Sequence, residues 1–241
     1  MLADVSKCLF GSDGLVSGYG SRQVLNKVSV EVAPKEIVAL IGHNGSGKST
    51  FLKTMFGLIR LWKGSIFFDG KVVGTPDPQS MLRLGVTYVP QGNRVFGDLT
   101  VYENMQMGDA ASIDRNALSG KVKATLGLFP DLKPLLDRRA QSLSGGEKQL
   151  LALATGLVLS PRMLLLDEPT LGLAPQAARN ALKRIQNLRD VYGMSILVVE
   201  QKVRAVLEIS DRVYVMREGC ISFSGASAKL ADERSLREQY L

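Results

Sequence analysis

Residues 37–50 read IVALIGHNGSGKST, and the fold is decided in this stretch. Ile37 to Ile41 is an unbroken apolar run, the pattern of a strand buried on both faces in the middle of a parallel sheet. Gly42-His43-Asn44-Gly45-Ser46-Gly47-Lys48-Ser49-Thr50 follows at once and meets the pattern G-x-x-x-x-G-K-[ST] at every fixed position. Glycines let such a loop curl so that successive amides point inward at an anion, and the N-terminus of the helix that follows adds partial positive charge. Lys48 is therefore expected to reach the β and γ phosphates of a nucleoside triphosphate. Ser49 offers a hydroxyl to Mg²⁺, a hard ion that prefers oxygen ligands. His43, the only histidine in the chain, occupies a variable position and is expected to be a loop side chain near phosphate.

Outward from this loop the periodicities alternate. Val28 to Val32 reads as a half-buried strand, and Ser49 to Phe56 reads as a helix stopped by Gly57. GSIFFDGKVV carries an Asp69-Gly70 turn and predicts a β-hairpin. Val86 to Val89 is a short strand. From Val101 to about Leu159 strand signals vanish and helical spacing dominates. Strand runs return at Met163 to Leu166, Ile196 to Val199 and Arg212 to Met216, with a helical QAARNALKRIQNLRDVY between the first two. This is the alternation of an α/β fold with a parallel sheet, accompanied by an antiparallel piece and a helical insertion.

Composition narrows the class. The chain has 241 residues and is 45% hydrophobic, enough for one large α/β domain or two small ones. Thirty Lys and Arg against 23 Asp and Glu give a net charge of +7, which fits an anionic ligand, an acidic membrane surface or nucleic acid without choosing among them. Cys8 and Cys220 lie far apart, which argues against a disulfide framework or a zinc site and for free thiols in a reducing cytoplasm. MLADVSKCLFGSDG lacks a basic run followed by an apolar stretch, and no segment reaches about 18 uninterrupted apolar residues. A soluble intracellular protein is expected.

Two further motifs carry chemistry. Met163-Leu164-Leu165-Leu166-Asp167-Glu168 is an apolar strand ending in two acids, the form of a Walker B element at a sheet's carboxyl edge. Asp167 is expected to hold Mg²⁺, and Glu168 to polarise an attacking water. Leu143-Ser144-Gly145-Gly146-Glu147 precedes a helical run and sets a small hydroxyl and two bare amides where a second anion site can form.

LSGGE, lying between the Walker A and Walker B segments, resembles the signature of ATP-binding cassette (ABC) ATPases, and the likeness covers essentially the whole chain. The resemblance implies a P-loop NTPase (RecA-like) parallel-sheet core with an antiparallel β subdomain and an inserted helical subdomain. Residues 1–241 then form a single nucleotide-binding domain, with the helical part at about 97–158. In that family two cassettes pack head to tail, so Ser144, Gly145, Gly146 and Glu147 serve a neighbour's ATP. Tyr19, placed upstream of the first strand, matches the aromatic that stacks on adenine. Gln91 matches the Q-loop glutamine that contacts Mg²⁺ and links the site to the transmembrane partner, and Gly92 to Asn104 borders the surface that grips a coupling helix. Glu168 and Gln201 orient the attacking water, while Lys48 and Mg²⁺ neutralise the γ phosphate.

Departures from the family pattern are informative. Gln201 in LVVEQK stands where most members have a switch histidine; its amide can hydrogen-bond a phosphate but does not titrate near neutral pH. Ala174 in EPTLGLAP replaces the usual aspartate. VEQ, GLAP, the tail GASAKLADERSLREQYL and the segment PQGNRVFGDLTVYENM are similar to one branch, the LivF-type ATPases of branched-chain amino acid importers. Related urea or amide importer ATPases and non-transport ABC ATPases are the alternatives. The branch implies a second, LivG-like cassette that retains the missing histidine and aspartate, two transmembrane permease subunits, an indirect link to a periplasmic substrate-binding protein, no nucleic acid, and a place on the cytoplasmic face of the inner membrane. Lys35 in APKE stands where glycine is common and is expected to adopt an inexpensive turn. Gly156, where alanine is common, reads as drift that costs a helix about 1 kcal/mol.

Overall fold

The computed structural model describes residues 8–92, 94–108 and 115–230, with side chains throughout except at 115–118. Its centre is a six-stranded sheet of β3 (Ile37–Ile41), β6 (Val86–Val89), β7 (Met163–Asp167), β8 (Ser195–Val199), β9 (Arg212–Arg217) and β10 (Cys220–Ala226), in the order β10-β9-β3-β8-β7-β6. Strands β9, β3, β8, β7 and β6 are parallel, and β10 is an antiparallel edge. Both faces are covered, so successive residues enter different cores. Ile37, Ala39 and Ile41 join Leu164, Leu166, Ile196, Val198, Val213 and Val215 in one. Val38 and Leu40 join Met163, Leu165, Leu197, Val199 and Met216 in the other. That two-sided burial is why these strands read as continuous apolar runs.

The second core lies beneath a four-stranded antiparallel sheet ordered β2-β1-β4-β5, made of β1 (Phe10–Tyr19), β2 (Arg22–Val32), β4 (Leu61–Phe68) and β5 (Lys71–Val73). Helix α1 (Lys48–Met55) packs with it through Phe51, Leu52 and Met55. The expected hairpin is present: Asp69 (φ 54°) and Gly70 (φ 74°) are both left-handed, as a two-residue turn matching strand twist requires. Strand β1 has no counterpart in the sequence reading. Its FGSDGLVSGY is broken by register shifts between Ser12 and Leu15 and again around Ser17, so the period-two pattern never develops. Tyr19 is consequently not upstream of the first strand; it is the last residue of β1.

The short α2 (Pro78–Arg83) precedes β6. Between β6 and β7 the described residues form no strand, only α3 (Val101–Met107), α4 (Arg115–Leu128), α5 (Gly145–Leu157) and two short 3-10 turns. These helices do not have a core of their own: Val101, Met105, Val122, Leu151 and Leu157 sit in one cluster with Ile41 and Leu164. Beyond β7 come α6 (Pro175–Tyr192), α7 (Val203–Leu207) and α8 (Ser227–Leu230). Among the described residues no helix is long and apolar enough to cross a membrane. The tail from Ala231, which carried part of the branch likeness, lies outside the described residues, and Cys8 and Cys220 are free.

Two expectations are corrected. Lys35 has φ 60°, a left-handed conformation that costs a residue bearing Cβ roughly 1–2 kcal/mol, so its turn is not inexpensive. Gly156 is not drift: a Cβ there would stand 2.8 Å from Val89 Cγ2, so glycine is what allows α5 to approach β6 this closely.

Candidate active site

Because the central strands are parallel, the segments leaving β3, β6, β7 and β8 emerge on one edge of the sheet, where open α/β sheets bind ligands. From β3 comes the loop Gly42–Gly47, and α1 begins at Lys48. Gly45 (φ 82°) and Gly47 (φ 108°) take backbone conformations that need glycine, and Gly47 caps α1 without any side chain. At Gly42 a Cβ would fall 2.3 Å from the Met216 carbonyl oxygen. Lys48 is buried and donates from Nζ to the carbonyls of Gly42 (2.7 Å) and His43 (2.9 Å), bracing the loop from within. An ammonium has three donors, so one remains for an anion. Burial pushes the Lys48 pKa down, opposed by the carboxylates of Glu168 and Asp167.

Asp167, at the end of β7, accepts from Ser49 Oγ (2.9 Å) and from Tyr88 OH (2.9 Å). Burial raises the Asp167 pKa, while these two hydrogen bonds pull it back. Glu168, one residue on, is 6% exposed and sits at φ 48°. A non-glycine residue in that region stores roughly 1–3 kcal/mol, a strain that concentrates at functional sites. Its carboxylate accepts from Gln91 Nε2 (2.8 Å) on one oxygen and from Gln201 Nε2 (2.7 Å) on the other. Gln91, Glu168 and Gln201 line a cleft of about 330 Å³ together with Asn44, Gly45, Gly47, Lys48, Ser49 and Thr50. The structure therefore assembles residues that are up to 177 positions apart in sequence, Val24 to Gln201, around one space.

Tyr19 is 52% exposed at the rim, its hydroxyl 3.5 Å from Thr50 Oγ1, so an aromatic face stands free beside the phosphate loop. The residues Ser144–Glu147 are not among those lining the cleft. Ser144 is the N-cap of α5, its Oγ accepting from Glu147 N (3.3 Å) while Glu147 Oε2 accepts from Ser144 N (2.7 Å). A Cβ added at Gly145 or Gly146 would meet nothing within 4 Å.

Three residues of the site escaped the sequence reading. Tyr88 reaches Asp167 because β6 and β7 pair Tyr88 with Leu165, and the signal lay only in a tyrosine inside a short strand. Glu200, directly before Gln201, is buried and accepts from Thr170 N (2.8 Å), Gln201 N (3.1 Å) and Lys202 N (3.5 Å). Burial raises its pKa against the pull of those amides. Lys202 Nζ donates to the carbonyls of Thr170 (3.3 Å) and Leu173 (3.2 Å). Ala174, at the N-cap of α6, makes no side-chain cap.

These residues fit a magnesium-bound nucleoside triphosphate. The cradle around Gly42 admits no side chain, and Ser46 Oγ is buried without a hydrogen-bond partner. Ser49 and Asp167 form a hydroxyl and carboxylate pair of hard oxygens. Among the described residues no group of three or more His, Cys, Asp or Glu is placed to hold a metal alone. Oxygen donors of this kind suit Mg²⁺, a hard ion that completes its shell from phosphate and water.

Comparison with known proteins gives the same picture. The family model described as ABC transporter matches residues 25–171. A probable branched-chain amino acid transport ATP-binding protein of Archaeoglobus fulgidus is 39% identical over 224 residues, covering 93% of this chain and 94% of its own. A high-affinity branched-chain amino acid transport ATP-binding protein of Pseudomonas aeruginosa is 41% identical over 230 residues, covering 95% and 97%. Among solved structures, a nucleotide-free ATP-binding cassette from an ABC transporter superposes with a TM-score of 0.86 at 26% identity, covering 95% of this chain and 97% of that one.

Proposed function

The chain belongs to the ABC transporter family, and from that premise we propose that it is the ATP-binding and ATP-hydrolysing subunit of an importer of branched-chain amino acids. The family activity is ATP hydrolysis coupled to transport. The observation that carries the catalytic reading is the Glu168 carboxylate held between the amides of Gln91 and Gln201 at the cleft formed by the phosphate loop. In this reading the amides of Gly42–Thr50 and Lys48 Nζ bind the phosphates, and Tyr19 stacks on the base. Ser49, Asp167 and Gln91 would hold Mg²⁺, which would supply positive charge to neutralise the phosphates. Glu168 accepts a proton from the attacking water, and Gln201 hydrogen-bonds a γ oxygen.

Ser144–Glu147, which lie outside the lining of the chain's own cleft, are assigned to a second cassette's nucleotide. The second cassette is LivG-like and keeps the histidine and aspartate that Gln201 and Ala174 replace. The remaining partners are two permease subunits, with a periplasmic binding protein reached through them, and the place of action is the cytoplasmic face of the inner membrane. The subunits that co-purify with this chain, reconstituted in proteoliposomes with internal ATP, are expected to take up labelled leucine, isoleucine or valine. Uptake of urea or an amide in place of these amino acids would overturn the assignment of cargo.

A further inference from the structure

Two loops meet behind the Glu168 carboxylate, and Glu200 is the residue that joins them. The first leaves β7 as Glu168–Leu173, turning through hydrogen bonds from Leu171 N to Glu168 O (3.1 Å) and from Leu173 N to Thr170 O (3.2 Å). The second leaves β8 as Glu200–Lys202. Glu200 Oε1 accepts from Thr170 N on the first loop, while Oε2 accepts from Gln201 N and Lys202 N on the second. Lys202 Nζ closes the same junction from outside, on the Thr170 and Leu173 carbonyls. Gln201, whose own backbone is held by Glu200, then sends its side-chain amide to Glu168. A carboxylate that is 2% exposed is costly to bury, and here its acceptors are divided between the two loops instead of serving one of them.

We infer that Glu200 is a positioning residue that makes the loop Thr170–Leu173 and Gln201 one mechanical unit, so that a shift of that loop moves the Gln201 amide relative to Glu168. Resting as it does on the role proposed above for Gln201, the inference assigns Glu200 no contact with nucleotide. A Glu200→Gln side chain keeps the shape but has one acceptor oxygen, so it can hold one loop and not both.

The test is steady-state ATP hydrolysis by the complex of this chain with its co-purifying membrane subunits. Glu200→Ala is expected to lower kcat about ten- to hundredfold, the scale of a small misplacement of a reacting group, with KM for ATP within about twofold of wild type. Glu200→Gln, which leaves the fold least disturbed, is expected to fall between. In a Gln201→Ala background, Glu200→Ala is expected to have no further effect on kcat. An unchanged kcat in Glu200→Gln and Glu200→Ala overturns the inference. If Gln201→Ala lowers kcat and Glu200→Ala lowers it again by its full single-variant factor, the inference alone is overturned. If Gln201→Ala leaves kcat unchanged, the role of Gln201 fails and this inference fails with it.

Discussion

Replacing Tyr88 by Phe removes one hydroxyl from the carboxylate of Asp167 and little else. The ring keeps its place beside Phe56, 5.7 Å between centroids, and the hydroxyl that is lost lies 2.9 Å from Asp167 Oδ2. A hydrogen bond to an ionised group contributes about 1.5–3 kcal/mol, and one to a neutral group about 0.5–1.5. Which figure applies depends on pH. Burial already raises the Asp167 pKa, and the Ser49 and Tyr88 hydrogen bonds pull it back. Removing the Tyr88 hydroxyl therefore raises it further. A carboxyl whose pKa is higher folded than unfolded contributes stability that is complete below the unfolded value, about 3.9 for Asp, and lost as pH rises through the folded value. The variant deepens that loss. Tyr88→Phe is expected to cost roughly 2 kcal/mol at about pH 7.5 and roughly 1 kcal/mol once Asp167 is protonated in both states. For a domain of this size the neutral-pH cost lowers Tm by roughly 4–8 °C. Urea unfolding of the wild type and the variant, at about pH 3.5 and about pH 7.5, measures the difference directly. A cost that is the same at both pH values, or absent at both, would refute the placement of Tyr88 on an ionised Asp167.

Other perturbations follow from the local geometry. Ala174→Asp gives α6 the N-cap it lacks and is expected to add about 1 kcal/mol, raising Tm by roughly 2–4 °C; an unchanged or lower Tm contradicts this. Gly156→Ala sets a Cβ 2.8 Å from Val89 Cγ2 and is expected to destabilise by about 1 kcal/mol, the crowding outweighing better helix propensity. Adding Val89→Ala makes room, so the denaturation free energy of the double variant should show less than the sum of the two single costs. Lys35→Gly removes the left-handed strain at φ 60° and is expected to stabilise by up to about 1 kcal/mol, after the extra freedom of glycine in the unfolded chain is counted. A lower unfolding midpoint for that variant would show that the turn is not strained.

What was legible in the sequence follows from how each element is buried. Strands β3, β7 and β8 have every residue buried, so unbroken apolar runs identified them, and the motifs at their ends were placed correctly on one sheet edge. Strand β1 was invisible because its bulges and glycines erase the alternation on which strand reading depends. Tyr88 and Glu200 were missed for another reason. Each acts through a neighbour that is distant in sequence, Tyr88 on Asp167 by strand register and Glu200 on Thr170 across two loops, and pairing register is not a property of either segment alone. Gly156 shows the converse error, since a residue judged by helix propensity is explained by contact with Val89.

We propose that Glu168, held by Gln91 and Gln201, receives the proton of the attacking water. Glu168→Gln keeps the size of the side chain and removes its basicity. In the complex with its membrane subunits, phosphate release from ATP should fall by about a hundredfold or more while ATP remains bound. Release at a rate within about twofold of wild type would contradict that role for Glu168.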